Sequence, residues 1–164
     1  MLGRYVNDPL LNGSEWGPDI RAVLEAAFQA RLNAYAPYSK YMVGSAIMTY
    51  DGRIFTGVNA ETANYDGSHG EEIAIGSMLL GGTRSPLLVA SVGGLEGTDE
   101  PVVAPSCSKC RSHLWEYRSL TGDPFYMLSA NAETGRLELD ELTVLVPKAF
   151  GPADIGVDLA RYRR

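Results

Sequence analysis

Met42-Val43-Gly44-Ser45-Ala46-Ile47-Met48-Thr49-Tyr50, then Asp51-Gly52, then Arg53-Ile54-Phe55-Thr56-Gly57-Val58-Asn59 is the stretch on which the fold turns. Met42 to Tyr50 reads as a strand. Asp51-Gly52 is a hairpin turn signal, and Arg53 to Asn59 reads as the returning strand. Upstream, Ile20, Val23, Leu24, Ala27 and Phe28 recur at helical spacing, so Asp19 to Ala34 reads as an amphipathic helix, ended by Pro37. Downstream, a helix begins near Ser68 and runs to Leu80, where Gly81-Gly82 stops it.

Further out the pattern keeps alternating. Leu87 to Val92 is an apolar strand, and Gly93 to Pro105 reads as a loop rich in Gly, Pro and acidic residues. Cys107 to Arg118 is helical in pattern, Phe125 to Leu128 a short strand, and Glu133-Thr134-Gly135 a turn into Arg136 to Leu139. Leu142 to Val146 is a last apolar stretch, and a short C-terminal helix with a basic end, Arg161 to Arg164, follows Phe150-Gly151-Pro152. Strands and helices mixed along one chain give an α/β class with helices packed on a sheet. The 164 residues fit one domain, 1–164, with no repeat or linker; the first 17, which lack periodicity, are expected to include a loose N-terminal arm.

Composition excludes several functions. The net charge of -6 argues against nucleic acid and against anionic membranes as partners. No apolar run is long enough to span a bilayer, and no signal peptide is evident at the start. Two cysteines, Cys107 and Cys110, are too few and too close for a secreted disulfide scaffold, so a cytoplasmic protein is expected.

Two short clusters carry chemistry. Cys107-Ser108-Lys109-Cys110 places two thiols on one side of a helix start, where the helix N-terminus favours thiolate. By itself the pair is ambiguous: a redox couple, half a structural zinc knuckle, or coincidence. Ser68-His69-Gly70-Glu71 also opens a helix, and by itself reads as a capping box with Ser68 as cap and Glu71 as its partner. Taken together they offer three metal donors, His69, Cys107 and Cys110, with Glu71 beside them. A structural zinc takes four protein ligands, whereas a catalytic one keeps a position for water. The other histidine, His113, follows Cys110 by three residues on the same helix, where the chain has turned away from a shared metal. It reads as a surface or packing residue.

His-x-Glu followed by Cys-x-x-Cys is the signature of zinc deaminases, and the rest of the chain resembles the cytidine deaminase family. Ala36-Pro37-Tyr38-Ser39-Lys40-Tyr41 with Val43-Gly44-Ser45-Ala46 is similar to the family's opening stretch, Asp51 to Glu61 to its second strand, and Leu145-Val146-Pro147-Lys148-Ala149-Phe150-Gly151-Pro152 to its C-terminal run. Cys110-Arg111 with Leu114, Glu116 and Tyr117 also follows the pattern.

The resemblance implies a three-layer α/β/α fold with a mixed central sheet of about five strands and helices on both faces. It implies Zn2+ as cofactor, held by His69, Cys107 and Cys110, with Glu71 as the catalytic proton carrier. It also implies nucleoside contacts at Asn59 and Glu61 (sugar hydroxyls), Tyr41 (beside the base), Gly70 and Phe150. In the family's small members that Phe reaches a neighbouring subunit's site, so a homo-oligomer is expected, a tetramer with a dimer as alternative. The implied reaction is hydrolytic deamination of cytidine or deoxycytidine to the uracil nucleoside and ammonia. Deamination of a modified cytosine nucleoside, such as a cytosine-containing antibiotic, is the alternative, and a zinc-stabilised binding module without turnover is a third reading.

The chain departs from the family at several positions. His69 stands where small members carry Cys, Gly70 where Ala is usual, Glu72 where they carry Arg, and Ser112 where they carry Gln; Ser106 displaces the Pro that usually precedes the first cysteine. Two thiolates and an imidazole leave a bound zinc neutral, whereas three thiolates leave a negative charge that an Arg would temper. His69 and Glu72 are therefore expected to be coupled.

Overall fold

A computed structural model describes residues 3–163; Met1, Leu2 and Arg164, the ends of the expected arm and basic tail, lie outside the described residues. Helices α1 (Pro9–Asn12) and α2 (Gly17–Arg31) precede strands β1 (Tyr41–Thr49) and β2 (Ile54–Val58). Then come α3 (Gly70–Leu80), β3 (Pro86–Leu95), β4 (Val102–Ala104), α4 (Ser108–Thr121), β5 (Tyr126–Ala130), β6 (Leu137–Glu141) and α5 (Leu142–Leu145). The six strands form one sheet in the order β2-β1-β3-β5-β6, with β4 paired to β3. Only β3 and β5 run parallel, and the other pairings are antiparallel, so the sheet is mixed as expected.

Alternation along the strands sends side chains to two apolar layers. Ala46, Met48, Leu88, Ala90 and Leu128 join Ile20, Val23, Leu24 and Ala27 of α2 on one face. Ile47, Val89 and Met127 join Ala74, Ile75 and Met78 of α3 and Leu114 of α4 on the other. With both faces covered, β1 is buried continuously from Gly44 to Thr49. Two glycines let the helices come close. A methyl on Gly44 would stand 2.1 Å from the Ala27 carbonyl oxygen of α2, and one on Gly57 2.3 Å from the Gly70 carbonyl oxygen of α3. The Asp51-Gly52 turn forms as read, Gly52 taking a left-handed backbone (φ 79) that costs a glycine nothing.

Three expectations are corrected. The N-terminal segment is not loose from Gly3 onward. Tyr5 and Leu11 are buried in the α2 layer, and the Tyr5 hydroxyl accepts from the Val103 amide at 3.1 Å. Asp8 caps α1 through the Leu10 amide at 2.9 Å and accepts from the Leu137 amide at 2.8 Å. Each buried side chain of this size contributes about 2 kcal/mol, enough to hold an arm that has no helical period. The Gly93–Pro105 segment is not all loop, because β3 continues to Leu95 and β4 pairs with it. Its glycines are required by packing: a methyl on Gly93 would stand 2.8 Å from the Tyr41 ring. The C-terminal helix is two short 3-10 turns, Pro152–Ile155 and Ala160–Tyr162.

Candidate metal centre and nucleoside pocket

The two clusters come together at the N-termini of α3 and α4. His69 is the N-cap of α3 and Cys107 the N-cap of α4, both in extended backbone. The His69 Nδ1 lies 3.4 Å from Cys107 Sγ and 3.2 Å from Cys110 Sγ, and the three donor atoms lie within 4.8 Å of one another. Tetrahedral zinc with Zn–S of about 2.3 Å and Zn–N of about 2.1 Å holds a sulfur and a nitrogen roughly 3.5 Å apart, so the donors are spaced for that ion. Their chemistry also fits, with two thiols and an imidazole at two helix N-termini whose dipoles favour thiolate. Among the described residues no fourth side chain joins the cluster. His113 turns instead to Glu72, 3.3 Å away.

Glu71 is buried, and its Oε2 lies 3.4 Å from Cys110 Sγ. Burial, and next the Glu71 carboxylate, push the Cys110 thiol well above its ordinary value. A divalent cation reverses that preference, since a coordinating thiol is deprotonated outright.

The capping arrangement is shifted by one residue from the sequence reading. The helix starts at Gly70, so the N3 partner is Glu72, whose carboxylate accepts from the His69 amide at 2.8 Å. Glu71 is thereby left to face the metal donors. Glu72 also pairs with Lys109 Nζ at 2.9 Å. Burial acts to raise the Glu72 carboxyl, but the His69 amide and then Lys109 outweigh it and keep the group below its ordinary value. Where small relatives in the resemblance carry Arg, this chain has a carboxylate that reaches a lysine on the opposite helix.

The donors open into a cavity of about 700 Å³. Tyr41, Asn59, Glu61, His69, Gly70, Glu71 and Cys107 line it, so most of the candidate site residues share one space. Asn59 and Glu61 lie just past β2 rather than within it. The Asn59 amide bridges β1, its oxygen accepting from the Val43 amide at 2.8 Å and its nitrogen donating to the Tyr41 carbonyl at 2.9 Å. One further lone pair and one N–H stay available to a ligand. The Ser39 hydroxyl, with the Ser39 and Tyr38 amides, holds the Glu61 carboxyl below its ordinary value.

Phe150 is not part of this protomer's cavity: it stands 74% exposed and outside the lining. Sequence reasoning missed Ser91, Pro105 and the rim tyrosines Tyr38 and Tyr65. Tyr65 is 89% exposed in a left-handed backbone (φ 60) unusual for a tyrosine, with its ring 6.4 Å from that of Tyr38. Tyr38 was within reach of the sequence because it belongs to the quoted Pro-Tyr-Ser run.

Three metal donors with one buried carboxylate alongside, in a cavity between a mixed sheet and the starts of two helices, define a metal-dependent hydrolytic site. A family model for the cytidine and deoxycytidylate deaminase zinc-binding region matches residues 18–121. A cytidine deaminase of Mycobacterium tuberculosis is 40% identical over 131 residues, which is 79% of this chain and 87% of that one. One from Sporosarcina psychrophila is 30% identical over 138 residues, 84% of this chain and 95% of that one. The crystal structure of cytidine deaminase from Burkholderia pseudomallei superimposes with a TM-score of 0.65 at 34% identity, covering 79% of this chain and 98% of that one. The chain belongs to the cytidine deaminase family of zinc-binding hydrolytic deaminases.

Proposed function

We propose that this chain deaminates cytidine and deoxycytidine, with His69, Cys107 and Cys110 as its zinc ligands and Glu71 as its proton carrier. The observation that carries the reading is the convergence of those donors within 4.8 Å of one another, beside a buried carboxylate in a nucleoside-sized cavity. Zinc there supplies Lewis acidity that lowers the pKa of a coordinated water to about 7. In the net reaction the C4–N bond of the cytosine ring breaks, a C4–O bond forms, and the amine leaves as ammonia with protons taken from water.

Glu71 is assigned two proton movements, one to ring N3 and one to the departing amine. Its burial fits the task, since a buried carboxylate exchanges protons with the ligand rather than with solvent. Asn59 and Glu61 are assigned to the sugar hydroxyls, and their existing hydrogen bonds pre-orient them. Tyr41 and Gly70 border the base. Phe150 is assigned to a neighbouring subunit's cavity in a homotetramer, with a dimer as the alternative; its exposure, and that of Leu80 at 93%, supports burial in an assembly. Two cysteines outside any disulfide support a cytoplasmic setting, and nucleoside salvage is the role that follows. No helix among the described residues is long and apolar enough to cross a membrane.

Ammonia release from cytidine, deoxycytidine, free cytosine and modified cytosine nucleosides tests the reading. Glu71→Gln should keep its zinc and lose about 10²- to 10⁴-fold in kcat; a near-normal rate overturns the assignment of Glu71. A modified, bulkier cytosine nucleoside is the second reading, favoured by the open tyrosine rim, and the same substrate panel separates the two. A binding module without turnover fits less well, because a fourth protein ligand is not among the described residues and an acid–base group is.

A further inference from the structure

Beneath the first turn of α3, Gly57, Ser45 and Ser91 lie side by side across β2, β1 and β3, paired in register. The helix rests on this row. A methyl on Gly70 would stand 2.6 Å from Ser45 Oγ, so the Ser45 hydroxyl occupies the space that an alanine side chain at position 70 would need. Serine at 45 and glycine at 70 are one packing unit.

Ser45 is 0% exposed and Ser91 3%, and their Oγ atoms are 2.7 Å apart. That is the one hydrogen bond either hydroxyl makes among the described residues. Two hydroxyls carry two protons, and the contact between them uses one. Ser45 is sealed under the helix and does not border the cavity, so the Ser91 oxygen is the acceptor its proton has. Ser91 does border the cavity, in the same lining as Gly70 and Glu71. Its own proton is therefore directed into the cavity, where a buried donor needs an acceptor.

We propose that Ser91 is a specificity-determining residue that donates this proton to an acceptor atom on the base of the bound nucleoside, with Ser45 behind it setting the direction. The proposal rests on the nucleoside reading of the cavity. It gives Gly70 a functional consequence: with no methyl at 70 there is room for the Ser45 hydroxyl, which fixes the direction of the Ser91 donor at the cavity floor.

The test compares wild type, Ser91→Ala and Ser91→Cys with cytidine. Ser91→Ala should raise KM about five- to tenfold, the scale of one hydrogen bond, with a smaller fall in kcat. Ser91→Cys, a weaker donor, should fall between. Ser91→Ala also strands the buried Ser45 hydroxyl and should lower Tm, so KM is read at a temperature where the variant is folded and holds its zinc; a KM within twofold of wild type there overturns the proposal. Gly70→Ala should lower Tm, and Ser45→Ala/Gly70→Ala should recover most of that loss; no recovery overturns the pairing of 45 with 70. If wild type releases no ammonia from any cytosine nucleoside, the deaminase reading fails by itself, and calorimetric titration of cytidine into wild type and Ser91→Ala then decides Ser91. Equal affinities overturn its role, and no cytidine binding at all overturns both.

Discussion

Glu72 and Lys109 form a 2.9 Å salt bridge that joins the first turn of α3 to the first turn of α4, next to the metal donors on each. A partly exposed ion pair contributes about 0–1 kcal/mol to stability, so its value lies in placement. The same carboxylate caps the His69 amide through its Oε2, while His113 of α4 shares Oε1 with Lys109. Groups that orient metal ligands typically alter metal affinity about 10- to 100-fold when removed. Glu72→Ala should therefore weaken zinc retention about tenfold, with Lys109→Met smaller and the double variant less than additive. Competition with a chromophoric chelator measures this. Retention equal to wild type in Glu72→Ala would show that His69 and Cys110 are set by the backbone alone.

Metal removal should be felt beyond the site. The proposed zinc donors sit at the starts of two helices, so zinc that binds the folded chain alone would stabilise it by mass action. Stripping zinc with EDTA should lower Tm by about 5–10 °C, the scale of a few kcal/mol for a chain this size, and added zinc should restore it. Cys107→Ser should start near the stripped value and respond weakly to EDTA. Identical melting of zinc-free and zinc-loaded protein would refute the link between the donors and the fold.

Gly44 and Gly57 separate fold from site. A methyl at Gly44 would press on the Ala27 carbonyl oxygen at 2.1 Å and the Arg31 amide at 2.3 Å, both in α2. A methyl at Gly57 would press on the Gly70 carbonyl oxygen and the Ala74 amide, each 2.3 Å away in α3. Backbone cannot yield as a side chain tip can, so each Ala variant should cost about 3 kcal/mol in urea unfolding. The site effects should differ. Gly57→Ala displaces the helix that carries His69 and Glu71 and should also weaken zinc retention; Gly44→Ala, against the opposite layer, should not. Equal zinc loss in both would mean that the sheet transmits the strain.

The architecture was legible where periodicity and turn chemistry agree. The α2 stripe of Ile20, Val23, Leu24 and Ala27, the Asp51-Gly52 turn and the Cys-x-x-Cys helix start all stand where the sequence puts them. The capping register was not legible, because Ser68 and His69 both suit an N-cap and pattern alone does not fix a helix end to one residue. That single step decides whether Glu71 or Glu72 faces the metal donors. The continuation of β3 through Gly93-Gly94 was hidden because glycine there answers the Tyr41 ring and Thr98 packed over it, not a turn. Ser91 was hidden because a serine in an apolar strand carries no signal until its neighbour across the sheet is known.

The N-terminal segment was misread for the same reason: its contacts are distant in sequence. Asp8 is 8% exposed, and its two oxygens serve Leu10 at the start of α1 and Leu137 at the start of β6. Asp8→Ala removes a helix cap, worth about 1 kcal/mol, and strands the buried Leu137 amide, which costs about 1–3 kcal/mol more. A loss of roughly 2–4 kcal/mol in urea unfolding is expected, large for a residue outside any long element. Tyr5→Phe deletes the acceptor for the Val103 amide and should cost about 1 kcal/mol. Neither side chain borders the cavity, so zinc content and KM should stay at wild-type values in both. Stability unchanged in Asp8→Ala would mean that the segment packs without being held, and that the absent helical period was the better guide to its behaviour.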